Sequence, residues 1–508
     1  MTAHHMAWYL VAFLALGPPV AFGAGPNPLQ GGPPTMATKR AVTPVIEAEN
    51  VVYDYEDAQN GSSPLWCYGN TCIVRVGNDV FASGIETLKN VKPMVNVRWT
   101  FFKLQKDAWA LLQADRKGRT REPCPLACFQ NGRIFLSNNP LTSGHSARPE
   151  ILEFDAANPK APFKTLTPTW DRRPAFSQHS YRTFAADAER RELILFQNIG
   201  TSHSEWAFRD KNGNWSARGR LVWKRREDAS ISPYGAKQAR ANYPNVVLKN
   251  RAVYFVGAAA YNKWARVSAK NKDLAGRRYG NRWRRMFYTW TPDITTRGFS
   301  KWLELASTHE TGGWLFPGDL WVDDQGVAHI AWFEAPVNEE LREKHFPDLK
   351  IVYSLQYAQI KRGKVVLKKT LVEGGEGKSL EIPGHPGLGN YLKIPSKNEA
   401  SGFLISDQAG RGQPRFHIMP DGRLFALYYV GGKSRKGKPV SENRLMEIHK
   451  DGSTGKAIRV PLKHPLIEFF TATPRGGSAP SDVIDILGYR KSTLMKKVCY
   501  ARIRLKTP

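Results

Sequence analysis

A hairpin motif that recurs along the whole chain limits the folds open to it. Six segments share one pattern, an apolar strand, a polar turn and a second, more apolar strand: 72–84, 125–137, 182–197, 243–257, 319–334 and 415–430. A seventh, degenerate copy lies at 481–488 (SDVIDILG). β-branched and aromatic residues flanking Gly, Asn or Asp turns are hairpin signals. The turn anchors Gly77, Gly132, Arg190, Asn250, Gly326, Gly422 and Gly488 are too unevenly spaced for a solenoid. They suit a fixed hairpin core with variable loops.

Between these hairpins lie second, more polar ones, at 97–113, 205–223, 285–305, 352–372 and 444–460. Each unit is then four strands, an apolar inner pair and an amphipathic outer pair. Neighbouring units cover both faces of the inner pair, whereas the outer pair keeps an edge in water. The expected fold is all-β: a seven-bladed β-propeller of four-stranded antiparallel blades. Two β-sandwiches would need a linker near the middle, and the pattern runs unbroken through residues 200–300. Long helices are nearly absent.

The start of the chain reads as an export signal. Residues 7–20 are apolar and uncharged, Ala21 and Gly23 offer small residues for cleavage, and no Lys or Arg precedes Lys39. We read 1–23 as a signal peptide, 24–44 as a flexible Pro/Gly-rich leader and 45–508 as a single propeller domain, in a secreted or periplasmic protein. No stable membrane insertion is expected after cleavage. With 74 Lys and Arg against 45 Asp and Glu, the chain carries +29, which attracts polyanions. Export and the dispersal of its basic clusters argue against nucleic acid and leave an acidic polysaccharide as the expected partner of a monomer. The five cysteines suit local disulfides, Cys67 with Cys72 and Cys124 with Cys128, cross-pairing being the alternative and Cys499 left alone. No cofactor motif is evident; a structural Ca²⁺ or Zn²⁺ held by scattered loop residues would leave no trace in the sequence.

In a propeller, residues just before an inner strand and just after its hairpin gather at one mouth. Those positions hold His179, Tyr181, Arg182, Asn198, His203, Arg240, Tyr243, Tyr261, Asp319, Glu334 and Arg415. Two His, Tyr and several Arg suit proton abstraction next to a carboxylate: a cation neutralises the acid and a His or Tyr takes the proton.

The stretch 178–261 resembles the BNR-repeat, sialidase-like propellers, nearest the branch that holds ulvan lyases and related polysaccharide lyases. The residues concerned are His179-Ser180, the Gly200-Thr201-Ser202-His203 run and Tyr243-Pro244. Asp210-Lys-Asn-Gly213-Asn-Trp215 is similar to a degenerate Asp-box. The resemblance implies a polysaccharide lyase acting on a uronate-containing polymer by β-elimination. His179 and His203 would share acid/base and orienting work, with Tyr243 as partner acid/base. Arg182, Asn198, Arg240, Tyr261, Asp319, Glu334 and Arg415 are the candidate substrate-binding residues. Where the lyases carry an Arg after the strand that follows Tyr-Pro, this chain has Gly257-Ala-Ala-Ala260-Tyr261. Arg266, Arg240 and Arg182 are the candidate cations for that place, from nearby loops. The alternatives are a non-catalytic propeller that binds glycans or proteins, and a sialidase-like hydrolase using Arg148, Arg182, Arg240 and Arg415 with Glu334 and Tyr243.

Overall fold

Strand pairing in the computed structural model builds seven antiparallel sheets of the kind the repeat predicts. The structure describes residues 41–106, 108–225, 238–260, 283–337, 342, 345–379, 381–384 and 413–507. Val42–Thr507 pack as one compact unit. From the innermost strand outward, blade one is Ile73–Val76, Asp79–Thr87, Val97–Gln105 and Ala108–Ala114. Blade two is Leu126–Cys128, Arg133–Asn138, Glu150–Asp155 and Lys164–Leu166. Blade three is Thr183–Asp187, Glu192–Ile199, His203–Arg209 and Ala217–Val222. Blade four is Ala241–Lys249, Ala252–Ala260, Trp283–Thr291 and Leu303–Ser307, and blade five is Gly312–Val322, Val327–Val337, Val352–Lys361 and Lys364–Gly375. In blade six the innermost place is shared by Glu381–Pro383 and Arg415–Ile418, which pair with opposite ends of Leu424–Lys433; Pro439–Ile448 and Ile458–Val460 follow.

Blade seven departs from the sequence reading. Its inner strand is Leu466–Thr471, and the next is Val483–Arg490, so Gly488 lies inside a strand rather than at a turn. The connection between them, 472–482, is long because it carries Arg475 toward the axis. The blade continues with Lys497–Lys506 and is completed by Thr43–Asp54 from the other end of the chain, paired from Thr43 with Lys506 to Asp54 with Lys497. That first strand begins inside the stretch read as leader. Closure of this kind ties the two ends of the chain into one blade and completes the ring.

The burial patterns follow the repeat. Thr183–Asp187 is buried at every position, whereas the outermost strand of the same blade, Ala217–Val222, alternates toward solvent. The apolar core is divided into layers between neighbouring blades. Ile194 and Phe196 of blade three meet Val253 and Phe255 of blade four; Ile73 and Val80 of blade one meet Leu487 and Tyr489 of blade seven. Asp155, Asp210 and Asp451 each close a turn after the third strand of their blade by accepting backbone N–H groups two residues on, as Asx turns do. Asp210 also accepts from the Asn214 N–H, with Gly213 between them at φ +88°, which is the Asp-box-like turn.

The axis is closed by protein. Segment 66–70, which leads into blade one, lies across it. The Tyr68 carbonyl accepts from Arg415, the Gly69 and Asn70 carbonyls accept from Arg475, and Asn70 Nδ2 donates to the Arg182 carbonyl. Gly69 is pressed so close to blade four that a Cβ there would stand 2.0 Å from the Pro244 oxygen. No helix among the described residues is long and apolar enough to cross a membrane.

The five cysteines are all free and buried. Cys67 and Cys72 have their sulfurs 3.5 Å apart. The expected Cys124–Cys128 pair is corrected by local geometry. The two residues lie at either end of an extended stretch that includes Leu126–Cys128, so their Cα atoms are about 13 Å apart, beyond the reach of a disulfide.

Candidate active site

Antiparallel pairing places the start of each inner strand and the end of the second strand at the same face of the ring. Blades three and four bring their opening residues together there. Tyr181 and Tyr243 both stand at left-handed backbone angles, φ +42° and +46°. A bulky residue holds such a conformation at a cost of about 1–3 kcal/mol, and only where its surroundings fix it. For Tyr243 the distortion coincides with a bulge between Asn242 and Asn245, where Pro244 cannot donate to the ladder. The two rings pack edge-on, with centroids 4.8 Å apart.

Tyr243 is the hub of an aromatic cluster. Trp66, Tyr68 and Trp283 pack on it edge-on, at 5.8, 4.9 and 5.2 Å. Tyr243 is 6% exposed, whereas Tyr181 is half-buried. Burial raises both phenols; for Tyr181 the Arg240 guanidinium, 4.6 Å from the ring centroid, works in the opposite direction.

His179 packs against both Trp66 (5.2 Å) and Tyr181 (4.4 Å), measured between ring centroids, and those two rings also meet each other at 6.0 Å. Its Nε2 is buried without a hydrogen-bond partner. Burial is the main reason its pKa falls to about 4; Glu122 opposes that fall, while Arg121 and Arg240 add to it. The imidazole is therefore neutral at pH 7. An unsatisfied buried nitrogen is uncommon in a folded protein and calls for a reason.

Glu122 positions this segment. It accepts from the Ser180 N–H (2.8 Å), from the Ser180 hydroxyl and from Arg182 Nη1 (3.0 Å). Its neighbour Arg121 donates to the Asn60 carbonyl and to Gln178, and lies over the Trp66 ring at 5.6 Å. Arg240 donates to Asn242 Oδ1 (2.9 Å) and to the Gly200 carbonyl (3.5 Å).

The other sequence candidates take different places. His203 is not in contact with His179. Its Nε2–H donates to Glu205, which also pairs with Arg220, and its Nδ1 accepts from Ser202. Burial lowers its pKa; Glu205 opposes that fall and Arg220 adds to it. Its turn reaches Arg240 only through Gly200. Arg182 is committed to Glu122 and to the Pro123 and Ser137 carbonyls. Asn198 donates to the Ala241 carbonyl.

Asp319 and Arg415 are interior residues, each 1% exposed. Asp319 accepts from Arg475, from Leu320 N–H and from Phe416 N–H. Arg415 donates to Phe469, Gly318, Tyr68 and Gln413. The two tie blades five, six and seven to the segment across the axis. Glu334 accepts from the Trp332 indole. Tyr261 and Arg266 lie outside the described residues.

Sequence reasoning missed Trp66, Tyr68, Arg121, Glu122 and Trp283. They sit in long connections or at the start of a third strand, where the repeat gives no signal. Among the described residues no group of three His, Cys, Asp or Glu side chains gathers to hold a metal ion.

No known family pattern matches this chain, and no curated protein matches it. Among solved structures it is similar to a protein of unknown function from Dyadobacter fermentans: 8% identity, 91% of this chain, 99% of that one, TM-score 0.41. It is similar to the polysaccharide lyase Uly1 at 11% identity over 92% of this chain and 99% of that one, TM-score 0.46. A Penicillium chrysogenum α-L-arabinanase complexed with arabinobiose gives 9%, 91%, 98% and 0.37. Likenesses this distant leave the chemistry of the site to be read from its own side chains.

Proposed function

We propose that the protein is a carbohydrate-active enzyme that cleaves a uronate-containing polysaccharide by β-elimination. The observation that carries this reading is the unpartnered Nε2 of buried, neutral His179, set beside a packed tyrosine pair and two guanidiniums. Elimination needs a base for the proton on the carbon next to the carboxylate, a cation for that carboxylate and an acid for the leaving oxygen. His179 Nε2 takes the proton as the C–H bond breaks. Arg240 neutralises the carboxylate, the role for which the sequence offered no arginine after the Tyr-Pro strand. The C–O bond to the neighbouring sugar then breaks, and its oxygen takes the Tyr181 phenolic proton. Return of the proton from His179 to the Tyr181 phenolate restores both groups. Burial makes protonated His179 costly and raises the Tyr181 phenol, so this last transfer runs downhill, with Arg240 only reducing the drop.

Tyr181 carries this step better than Tyr243, which is enclosed by rings and keeps Tyr181 oriented. A sialidase-like reading needs arginines converging on one carboxylate. Arg182 and Arg415 each have their own buried partners, which speaks against it.

The test is to incubate the protein with ulvan, glycosaminoglycans and pectic polymers and to follow the ultraviolet absorbance of unsaturated uronate. A rise that H179A and Y181F abolish supports the lyase. Reducing ends without that absorbance support hydrolysis, and retention in a glycan gel without cleavage supports a binding propeller.

A further inference from the structure

Two guanidiniums flank His179, one on each neighbouring ring. Arg240 lies over Tyr181 and Arg121 over Trp66, the two rings that pack against the imidazole. Elsewhere in the protein the guanidiniums commonly meet carboxylates, as Arg98 does Glu86, Arg182 does Glu122 and Arg423 does Glu447. Among the described residues Arg121 and Arg240 have only neutral acceptors. Arg121 is nonetheless rigidly held. Its Nε and Nη2 fork onto the Asn60 carbonyl at 3.1 and 2.9 Å, and Nη1 reaches Gln178 at 3.1 Å. Asn60 and Gln178 are themselves buried. A cation fixed by neutral groups, half-buried and without its own anion, is prepared for an anion from outside.

We propose that the site reads two negative charges on adjoining units of the polymer. Arg240 takes the carboxylate of the unit that loses its proton. Arg121, on the Trp66 side of His179, takes an anionic group on the next unit. That group is a carboxylate or a sulfate ester, which a guanidinium fork accepts alike. The proposal rests on the lyase reading for which unit reacts, but the second charge site exists whether or not the chain is cut. It makes Arg121 a specificity-determining residue, and an alternating charged and neutral polymer the poorer ligand.

The experiment uses the full chain as wild type, R121Q, R121K and R240Q. The probes are size-matched oligosaccharides of ulvan, the same oligosaccharides after desulfation, and oligogalacturonate. Dissociation constants come from calorimetry at fixed low salt, and kcat/KM from the unsaturated-uronate absorbance. Wild type is expected to bind one of the two doubly charged ligands about tenfold more tightly than desulfated ulvan. The ulvan arm reports a sulfate ester and the oligogalacturonate arm a second carboxylate. R121Q is expected to erase that preference and R121K to restore part of it, while R240Q weakens all ligands and leaves the ratio standing. If R121Q and R121K weaken all three ligands by the same factor, the second charge site is wrong. Loss of the preference in R121Q with no unsaturated product from any polymer keeps the two-charge site and removes the lyase reaction. Unsaturated product with a preference untouched by R121Q does the reverse.

Discussion

The Tyr181 and Tyr243 rings meet edge-on, centroids 4.8 Å apart, although the residues open the inner strands of two different blades. Both backbones are left-handed at these positions. The pairing turns two strained strand openings into one unit. Arg240 stands on the half-buried member and the aromatic cluster encloses the other. Division of labour follows from that asymmetry.

Y181F and Y243F therefore differ. Y181F removes the proton donor to the leaving oxygen, and kcat/KM is expected to fall by about 10²–10⁴. Y243F leaves the packed rings in place and removes only the hydroxyl of the enclosed member, with an expected loss of about tenfold. Initial rates of product absorbance for the two variants check the order.

The pH profile reports His179. Its pKa is lowered to about 4, so the neutral, proton-accepting form is present above pH 4 and lost below it. The acidic limb of kcat/KM is expected near pH 4, below the usual imidazole value of about 6.5. Rates on a stable oligosaccharide from pH 3.5 to 8 measure it, and a limb near 6.5 would mean that the burial does not act on the base.

Acid stability involves His179 and also His417, which donates from Nε2 to the Ser481 carbonyl and whose pKa burial likewise lowers to about 4. Above about pH 6.5 both are neutral, folded or unfolded. As the pH falls toward 4 the unfolded chain binds protons that the native one refuses, and each histidine withdraws about 3 kcal/mol of stability. H417Q keeps a donor to Ser481 and cannot titrate. Denaturant unfolding between pH 6.5 and 4 is expected to show a slope shallower than wild type by up to about 1.4 kcal/mol per pH unit.

At the axis, Asp319 accepts from Arg475, whose guanidinium also serves the Gly69 and Asn70 carbonyls. D319N leaves that guanidinium buried without its anion, at an expected cost of about 3–5 kcal/mol. The melting temperature falls in parallel, and activity falls with it if the 66–70 segment shifts Trp66.

The propeller was legible because hairpin alternation and turn residues are local signals, and they recur. Blade seven was half-hidden: its hairpin connection is long and its last strand comes from the opposite end of the chain, and pairing across that separation leaves no local trace. His179, Tyr181, Arg240 and Tyr243 were legible as residues opening inner strands. The same rule also selected Arg415, which opens its strand but turns into the axis, and Asp319, which the longer strand Gly312–Val322 places well past its opening. Position alone does not distinguish a paired interior ion from a free one. Trp66, Arg121 and Glu122 were invisible for a different reason. They lie in connections whose path depends on contacts made far along the chain, as Asn70 to Arg182 shows.

The most direct test is the structure of the new chain end. Proton NMR of oligosaccharides released by the wild-type protein is expected to show one vinylic signal for each bond cut, from a double bond in the uronate at the non-reducing end, and none with H179A. Saturated uronate ends, or vinylic signals that persist undiminished in H179A, would contradict the account.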